Sequence, residues 1–272
     1  MINSDSGLDF SVNRVAAMVR RYWYLLRSSW PRVLDLIYWP TVQMLMWGFL
    51  QLYVTQNGGP FVRTAGVFIG AVLLWDILFR GQLGFSISFL EEMWSHNLGN
   101  LMMSPLRPVE FIAALMIMSI VRLAIGMIPV TLLAFAFFGF NLWSFGLVLA
   151  AFFVNLILTS WAIGIFVSGL LLRNGMGAES MAWTIMFLFL PLTCVYYPVT
   201  VLPWYLQYVA WALPPTYVFE GMRALLIDHV FRADLMLEAF VFNVGLFAAA
   251  SFAFLKLLHS ARAQGSLLQA GE

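Results

Sequence analysis

Apolar residues run through the chain in long stretches, separated by short polar or Pro/Gly clusters, at about 33–54, 62–82, 109–138, 142–172, 180–200 and 236–258. At 1.5 Å of rise per residue, each stretch is long enough as a helix to cross the hydrocarbon of a bilayer. The pattern predicts an all-α, polytopic membrane protein with six transmembrane helices and both termini on one side. The third and fourth stretches exceed the minimum by roughly ten residues, which implies tilt, kinks or extension past the headgroups. The first contains Asp35, Pro40 and Gln43, and a kink is expected near Pro40.

Ahead of the first span the period changes. Leu8, Val12, Val15, Val19, Tyr22, Leu26 and Trp30 recur at steps of three and four, the repeat of one helix face, while Arg14, Arg20, Arg21 and Arg27 fall on the other side. An apolar face set against arginines, with Tyr22, Trp23, Tyr24 and Trp30 as interfacial aromatics, predicts a helix along the membrane surface. The same helix can also touch a cytoplasmic partner. The expected organisation is a tail and interfacial connecting helix over 1–32, a six-span domain over 33–258, and a terminal tail over 259–272.

The placement of basic residues orients the spans, because Arg and Lys beside a span resist translocation. With the termini inside, Arg14, Arg20, Arg21, Arg27, Arg32, Arg80, Arg107, Arg173 and Arg262 are cytoplasmic, and Arg63, Arg223 and Arg232 are outside. The asymmetry favours cytoplasmic termini. The expected location is a bacterial inner membrane. No removable signal peptide is expected, since Met1 to Phe10 carry Asp5 and Asp9 and lack a basic start followed by a short apolar core.

Composition sharpens this picture. The 272 residues are 62% hydrophobic and 10% charged, with a mean hydropathy of +0.88, far from the makeup of a soluble domain. A net charge of +1 argues against nucleic acid as a partner. Cys194 is the single cysteine, so neither an internal disulfide nor a cysteine-rich metal site can form. The sequence has no H-E-x-x-H, no G-x-S-x-G and no phosphate-binding P-loop, and Lys256 is its only lysine. Enzymatic chemistry is not expected, and any dependence on ATP must come from another polypeptide.

Two polar interruptions stand out. Between the second and third spans, 84–108 reads as a short amphipathic helix whose polar side carries Glu91, Glu92, Ser95, His96 and Asn97 and which stops at Ser104-Pro105-Leu106-Arg107-Pro108. Either an ordinary loop helix or a lever pushed by a soluble partner fits this pattern. Before the last span, 196–235 is apolar yet broken by Pro198, Pro203, Pro214 and Pro215, which predicts short re-entrant helices rather than one crossing.

The run Pro198, Leu202-Pro203, Leu213-Pro214-Pro215-Thr216-Tyr217, Glu220-Gly221, Arg223 resembles the C-terminal signature of the type-two ATP-binding-cassette exporter permeases. The run Leu101-Met102-Met103-Ser104-Pro105-Leu106, behind the acidic pair, is similar to the coupling-helix region of that family. Where many members carry Gly-Thr-Leu, this chain has His96-Asn97-Leu98. The resemblance implies a permease subunit that binds no cofactor itself and works with cytoplasmic ATPase subunits holding ATP and Mg, and with a second copy of itself or a paralogous permease. It further implies that Glu91, Glu92, His96, Asn97, Leu101, Ser104 and Pro105 face the ATPase, with Arg14, Arg20, Arg21 and Arg27 on the interfacial helix. Pro198, Pro203, Pro214, Pro215, Glu220 and Arg223 would form an external gate. The expected substrate is amphipathic or lipid-linked, such as a lipid, a glycolipid or saccharide, or a drug. An ion-gradient-driven secondary transporter and a non-transporting scaffold are the alternatives, the former without support from any internal repeat.

Charges inside the spans need partners. Asp76 and Arg80, four apart in acid-first order, predict a local pair; outside the spans, near the foot of the external gate, the three-residue spacing of Glu220 and Arg223 suggests another. Arg122 lies about 18 Å along its helix from Glu110, so its partner must be another helix, water or substrate. The last of these makes Arg122 a candidate pathway residue. The many Phe and Trp could line a conduit, though lipid-facing and packing roles are the commoner use.

Overall fold

A computed structural model describes residues 10–56 and 66–264. Leu8, Arg63 and the end of the terminal tail, all used above, lie outside the described residues. The described residues form ten α-helices with short 3-10 turns between them and no strand. Five helices are long and apolar enough to cross a membrane: α2 (Trp30–Gln56), α3 (Val67–Trp94), α5 (Pro108–Phe138), α6 (Leu147–Asn174) and α10 (Ala233–Gln264).

The expected fifth crossing over 180–200 is shorter than its apolar run. Helix α7 (Met181–Leu192) has 12 residues, about 18 Å of rise, and then breaks. Pro191 removes a backbone donor near its end, and Cys194 turns into the left-handed region at φ +54°. Hydrophobicity therefore continues past the point where helix stops. Beyond the break come α8 (Trp204–Trp211) and α9 (Pro214–Ile227), two short helices where 196–235 predicted them. Pro203 caps α8, and Pro214 and Pro215 open α9, where a missing amide donor costs nothing.

Helix α1 (Val12–Arg27) precedes α2 across a break at Ser28-Ser29. Its buried line is Val15, Met18, Tyr22 and Leu26, whereas Val12 and Trp30, assigned to that face from the sequence, are 71% and 73% exposed. The apolar face is thus spent on protein, principally α5 and α2. Helix α10 runs on to Gln264, so the expected tail over 259–272 begins as helix.

Helix α3 is the axis of the bundle, the most buried of the long helices, with α5 and α6 along it and α2, α7 and α9 around it. Small residues set the separations: a side chain at Gly84 would meet the Ser119 Cα of α5 at 3.1 Å, and one at Gly81 the Ser160 Oγ of α6 at 2.8 Å. Pro40 lies inside α2, where it cannot donate to the Leu36 carbonyl. That oxygen sits against Gly126 of α5, 2.7 Å from where a Cβ would be, and only glycine lets the two helices approach so closely. On the opposite side α10 is held to α6 by a polar clamp. Thr159 donates to the Asn243 side chain at 2.6 Å, and Asn243 donates to the Asn155 carbonyl at 2.9 Å.

Candidate functional site

The amphipathic segment expected from Gly84 onward is divided differently in the structure. Residues 84–94 continue α3, which passes unbroken to Trp94, and only Leu98–Met103 form a separate helix, α4. A tight turn joins them: His96 adopts φ +52°, and the amides of Ser95, His96 and Asn97 return to the carbonyls of Glu91, Met93 and Glu92. The left-handed angle at His96 is one that glycine adopts without strain. This explains physically why a glycine would suit the turn at which the sequence departs.

The acids of this segment point inward. Glu92 is fully buried, and its carboxylate accepts two bonds from the Arg21 guanidinium, at 2.5 and 3.0 Å, and one from Asn97 Nδ2 at 2.8 Å. Glu91 accepts from Arg122 at 2.8 Å and from Arg32 at 3.1 Å. Glu110, in the first turn of α5, accepts from Arg14 at 2.6 and 2.8 Å, from the Ser11 amide at 2.8 Å and from the Arg107 amide at 3.0 Å. The expectation that Glu91 and Glu92 face a soluble partner is corrected on this geometry, because both carboxylates are engaged within the chain. Removing a buried acid from its cation would strand a charge, which is why such pairs hold their geometry. Burial first, and then the negative charge of Glu92, push the Tyr22 phenol far above its ordinary range, so it remains protonated beside the pair.

The surface at this end is made of other residues. Trp94, Ser95, His96, Asn100, Met103 and Pro105 are exposed, Asn97, Leu101 and Ser104 are half-buried, and Leu98 anchors α4 from beneath. Leu98 shares a small cavity wall with Phe89, Phe111 and Phe254. Ser104 Oγ donates to the Leu101 carbonyl at 2.6 Å and accepts from the Leu106 amide at 3.3 Å, closing the helix before the prolines. Trp94 Nε1 donates to Glu179 at 3.3 Å, which ties this turn to the α6–α7 connection. Sequence reading gave no role to Glu179, and it treated Glu110 only as too distant from Arg122. Neither belongs to a motif, and each becomes visible only once distant helices are side by side.

The charges that the sequence left in need of partners are placed as follows. Arg80 Nε lies 3.6 Å from Asp76 Oδ1, both side chains buried. Arg122 is 4% exposed, and the partner left open by the sequence is Glu91 of α3. Arg223 Nη2 is 3.0 Å from Glu220 Oε1.

At the other end of the bundle, that last pair holds the break after α7. Arg223 Nη1 donates to the carbonyls of Cys194 at 2.9 Å and Val195 at 3.3 Å, while Glu220 accepts from the Val199 amide at 2.8 Å. Carbonyls freed by the loss of helix are thus satisfied by α9. A cavity of about 790 Å³ opens here between Tyr196, Pro198, Trp211, Glu220, Arg223 and Arg232. Pro203, Pro214 and Pro215 shape the backbone around it and do not line it.

Two sites therefore lie at opposite ends of α3: a rigid turn and short helix braced by three ion-paired acids, and a pinned break beside a polar-rimmed cavity. No group of three or more His, Cys, Asp or Glu suited to a metal occurs among the described residues. From Arg14 in α1 to Ile227, the last residue of α9, the sequence matches the family described as ABC-2 type transporter. No curated protein matches the chain.

Proposed function

The chain belongs to the ABC-2 type transporter family and is the membrane-spanning permease of an ABC transporter, and from this premise we propose that it exports an amphipathic or lipid-linked substrate across a bacterial inner membrane. In this reading ATP and Mg are bound and hydrolysed by separate cytoplasmic ABC ATPase subunits, two copies of the permease assemble about a twofold axis, and both termini are cytoplasmic. The α4 end then faces the cytoplasm and the α8–α9 end faces outward. A lipid, a glycolipid or saccharide, or a hydrophobic drug fits the apolar character of the bundle.

The observation that carries the reading is the construction of the α4 end. Its exposed edge from Trp94 to Pro105 is small, while everything behind it is braced: Glu92 to α1, Glu91 to α2 and α5, Trp94 to the α6–α7 connection. A push on α4 is therefore delivered to several helices at once, as a rigid-body rearrangement requires. ATP can shift that equilibrium only by as much as it binds the two arrangements differently.

The test uses single cysteines at His96 or Asn100 in a Cys194→Ala background, with the chain purified together with its native partners in lipid. Crosslinks to a nucleotide-hydrolysing subunit, with ATPase activity in the same complex, are expected. A stable native complex that contains no ATPase would sink the proposal.

A further inference from the structure

Helix α3 buries two opposite charges that do not quite meet. Arg80 Nε stands 3.6 Å from Asp76 Oδ1, just past hydrogen-bond length, with the two side chains 9% and 0% exposed. Both Asp76 oxygens and Arg80 Nε are enclosed and make no hydrogen bond among the described residues. Glu92 and Glu110 are as deeply buried, yet guanidinium and amide donors reach both oxygens of each. From Val67 to Asp76 the rise along α3 is about 14 Å, which brings the pair near the middle of a ~30 Å hydrocarbon layer. Bulk water is not at hand there to complete these bonds.

The groups around the pair come from three other elements. Asp35 of α2 lies within electrostatic reach of Arg80. Tyr196, in the break after α7, faces both Gln43 of α2 and the Asp76 carboxylate, and its ring stacks on Trp47 of α2 at 4.2 Å. Gly126 of α5 lies beside the Arg80 stem and carries no polar side chain. A cation placed at the pair would lie against the guanidinium, and an anion against the two carboxylate oxygens. Water is neutral, donates to a carboxylate and accepts from an N–H. It needs two to four polar partners, and Asp76 Oδ1, Asp76 Oδ2 and Arg80 Nε are three. A polar contact longer than a hydrogen bond is where a bridging water is to be looked for.

We propose that Asp76 and Arg80 hold an ordered water molecule at mid-membrane depth in the seam between α2 and α3, donating to the carboxylate and accepting from Arg80 Nε. Because a water can re-form its bonds in several directions, the seam can shift without stranding either charge. The site requires only that α2 and α3 cross a bilayer, and it stands apart from the identity of the transported substrate.

Radiolytic footprinting reads this directly, because X-rays split water into hydroxyl radicals that oxidise methionines close to where they form. Met44 of α2 is the reporter. Gln51 of α2 accepts from the Ile69 amide of α3, and Leu36 and Arg80 both meet Gly126. The two helices are therefore antiparallel, and Met44 lies between these contacts, as Asp76 does. Met44 and Met186 of α7 are both fully buried, but α7 carries no orphaned side-chain polar atom. The full chain in lipid nanodiscs is to be irradiated and its methionine sulfoxide counted by mass spectrometry against an unirradiated sample. Met44 should be oxidised several-fold more than Met186. In Asp76→Leu/Arg80→Leu, which removes donors and acceptors together, Met44 should fall to the level of Met186. Asp76→Asn, which keeps an acceptor beside Arg80 Nε, should retain the excess. Should the leucine variant fail to fold, Asp76→Asn and the comparison within the unaltered chain still decide. Equal oxidation of the two methionines in the unaltered chain overturns the site, and means that the charges close on each other directly. Undiminished oxidation of Met44 in the leucine variant also overturns it, since water then reaches the seam without the pair, and so does loss of the excess in Asp76→Asn.

Discussion

Glu91 stands between two cations of unequal exposure: Arg122 is 4% exposed as a side chain and Arg32 is 47% exposed. That inequality predicts an order of stabilities. Glu91→Ala leaves Arg122 buried without a partner and should cost about 3–5 kcal/mol, read as a fall in the unfolding midpoint of the chain in detergent. Arg122→Met should cost clearly less, because the abandoned carboxylate keeps Arg32. The double variant should be no worse than Glu91→Ala alone, and three variants of equal stability would show that the pair does not brace α3 against α5. The same residues show what a sequence can and cannot reveal. That Glu91, Glu92 and Arg122 needed polar surroundings was legible. Their direction was not, since a helix face with two acids reads alike whether it meets solvent or arginines from a helix that is distant in sequence.

At the scale of elements, the three-and-four period located α1, and length located α2, α5, α6 and α10, because each of these four is a long apolar run with a clear polar boundary. The failures share one cause. Apolar composition says that a segment is in the membrane or in protein, not where its backbone hydrogen bonds end. It placed the end of α3 too early, at 82, and read as a separate amphipathic helix what continues α3 for about three more turns to Trp94, and it extended α7 past Leu192, where Cys194 reverses the chain. The signal that could have found the second break was present in Pro191 and Pro198, which deprive the segment of two donors. Packing between elements was illegible for a different reason, since it depends on which glycine meets which neighbour. Gly126→Ala places a methyl 2.7 Å from the Leu36 carbonyl, and neither backbone can yield cheaply. The expected cost is about 1–3 kcal/mol. Gly99→Ala, on α4 with nothing within 4 Å, should be neutral or slightly stabilising, by up to about 1 kcal/mol. Both are measurable by the same unfolding midpoint, and a reversal of their order would mean that α2 and α5 do not approach at Gly126.

For the whole molecule, the question is how the α4 end communicates with the break at α7–α9, and α3 is the element common to both. It bears the acids at one end and contacts α9 beside the pinned loop at the other. A helix so buried moves as a body, because its packed faces leave no room for local bending. The bond between Glu92 and Arg21 then decides whether α1 travels with α3 or is left behind. Arg21 is partly open to water, at 37%, so its loss should weaken the link without unfolding the bundle. On the exporter reading, Glu92→Gln should leave the ATPase bound and hydrolysing at near its usual rate, since the exposed edge from Trp94 to Pro105 is untouched. What should fall, by several-fold, is substrate moved per ATP consumed. The measurement is parallel transport and hydrolysis in the same proteoliposomes. If the two fall together, the bond serves docking of the partner; if neither changes, α1 is a passenger and the force passes through α3 alone.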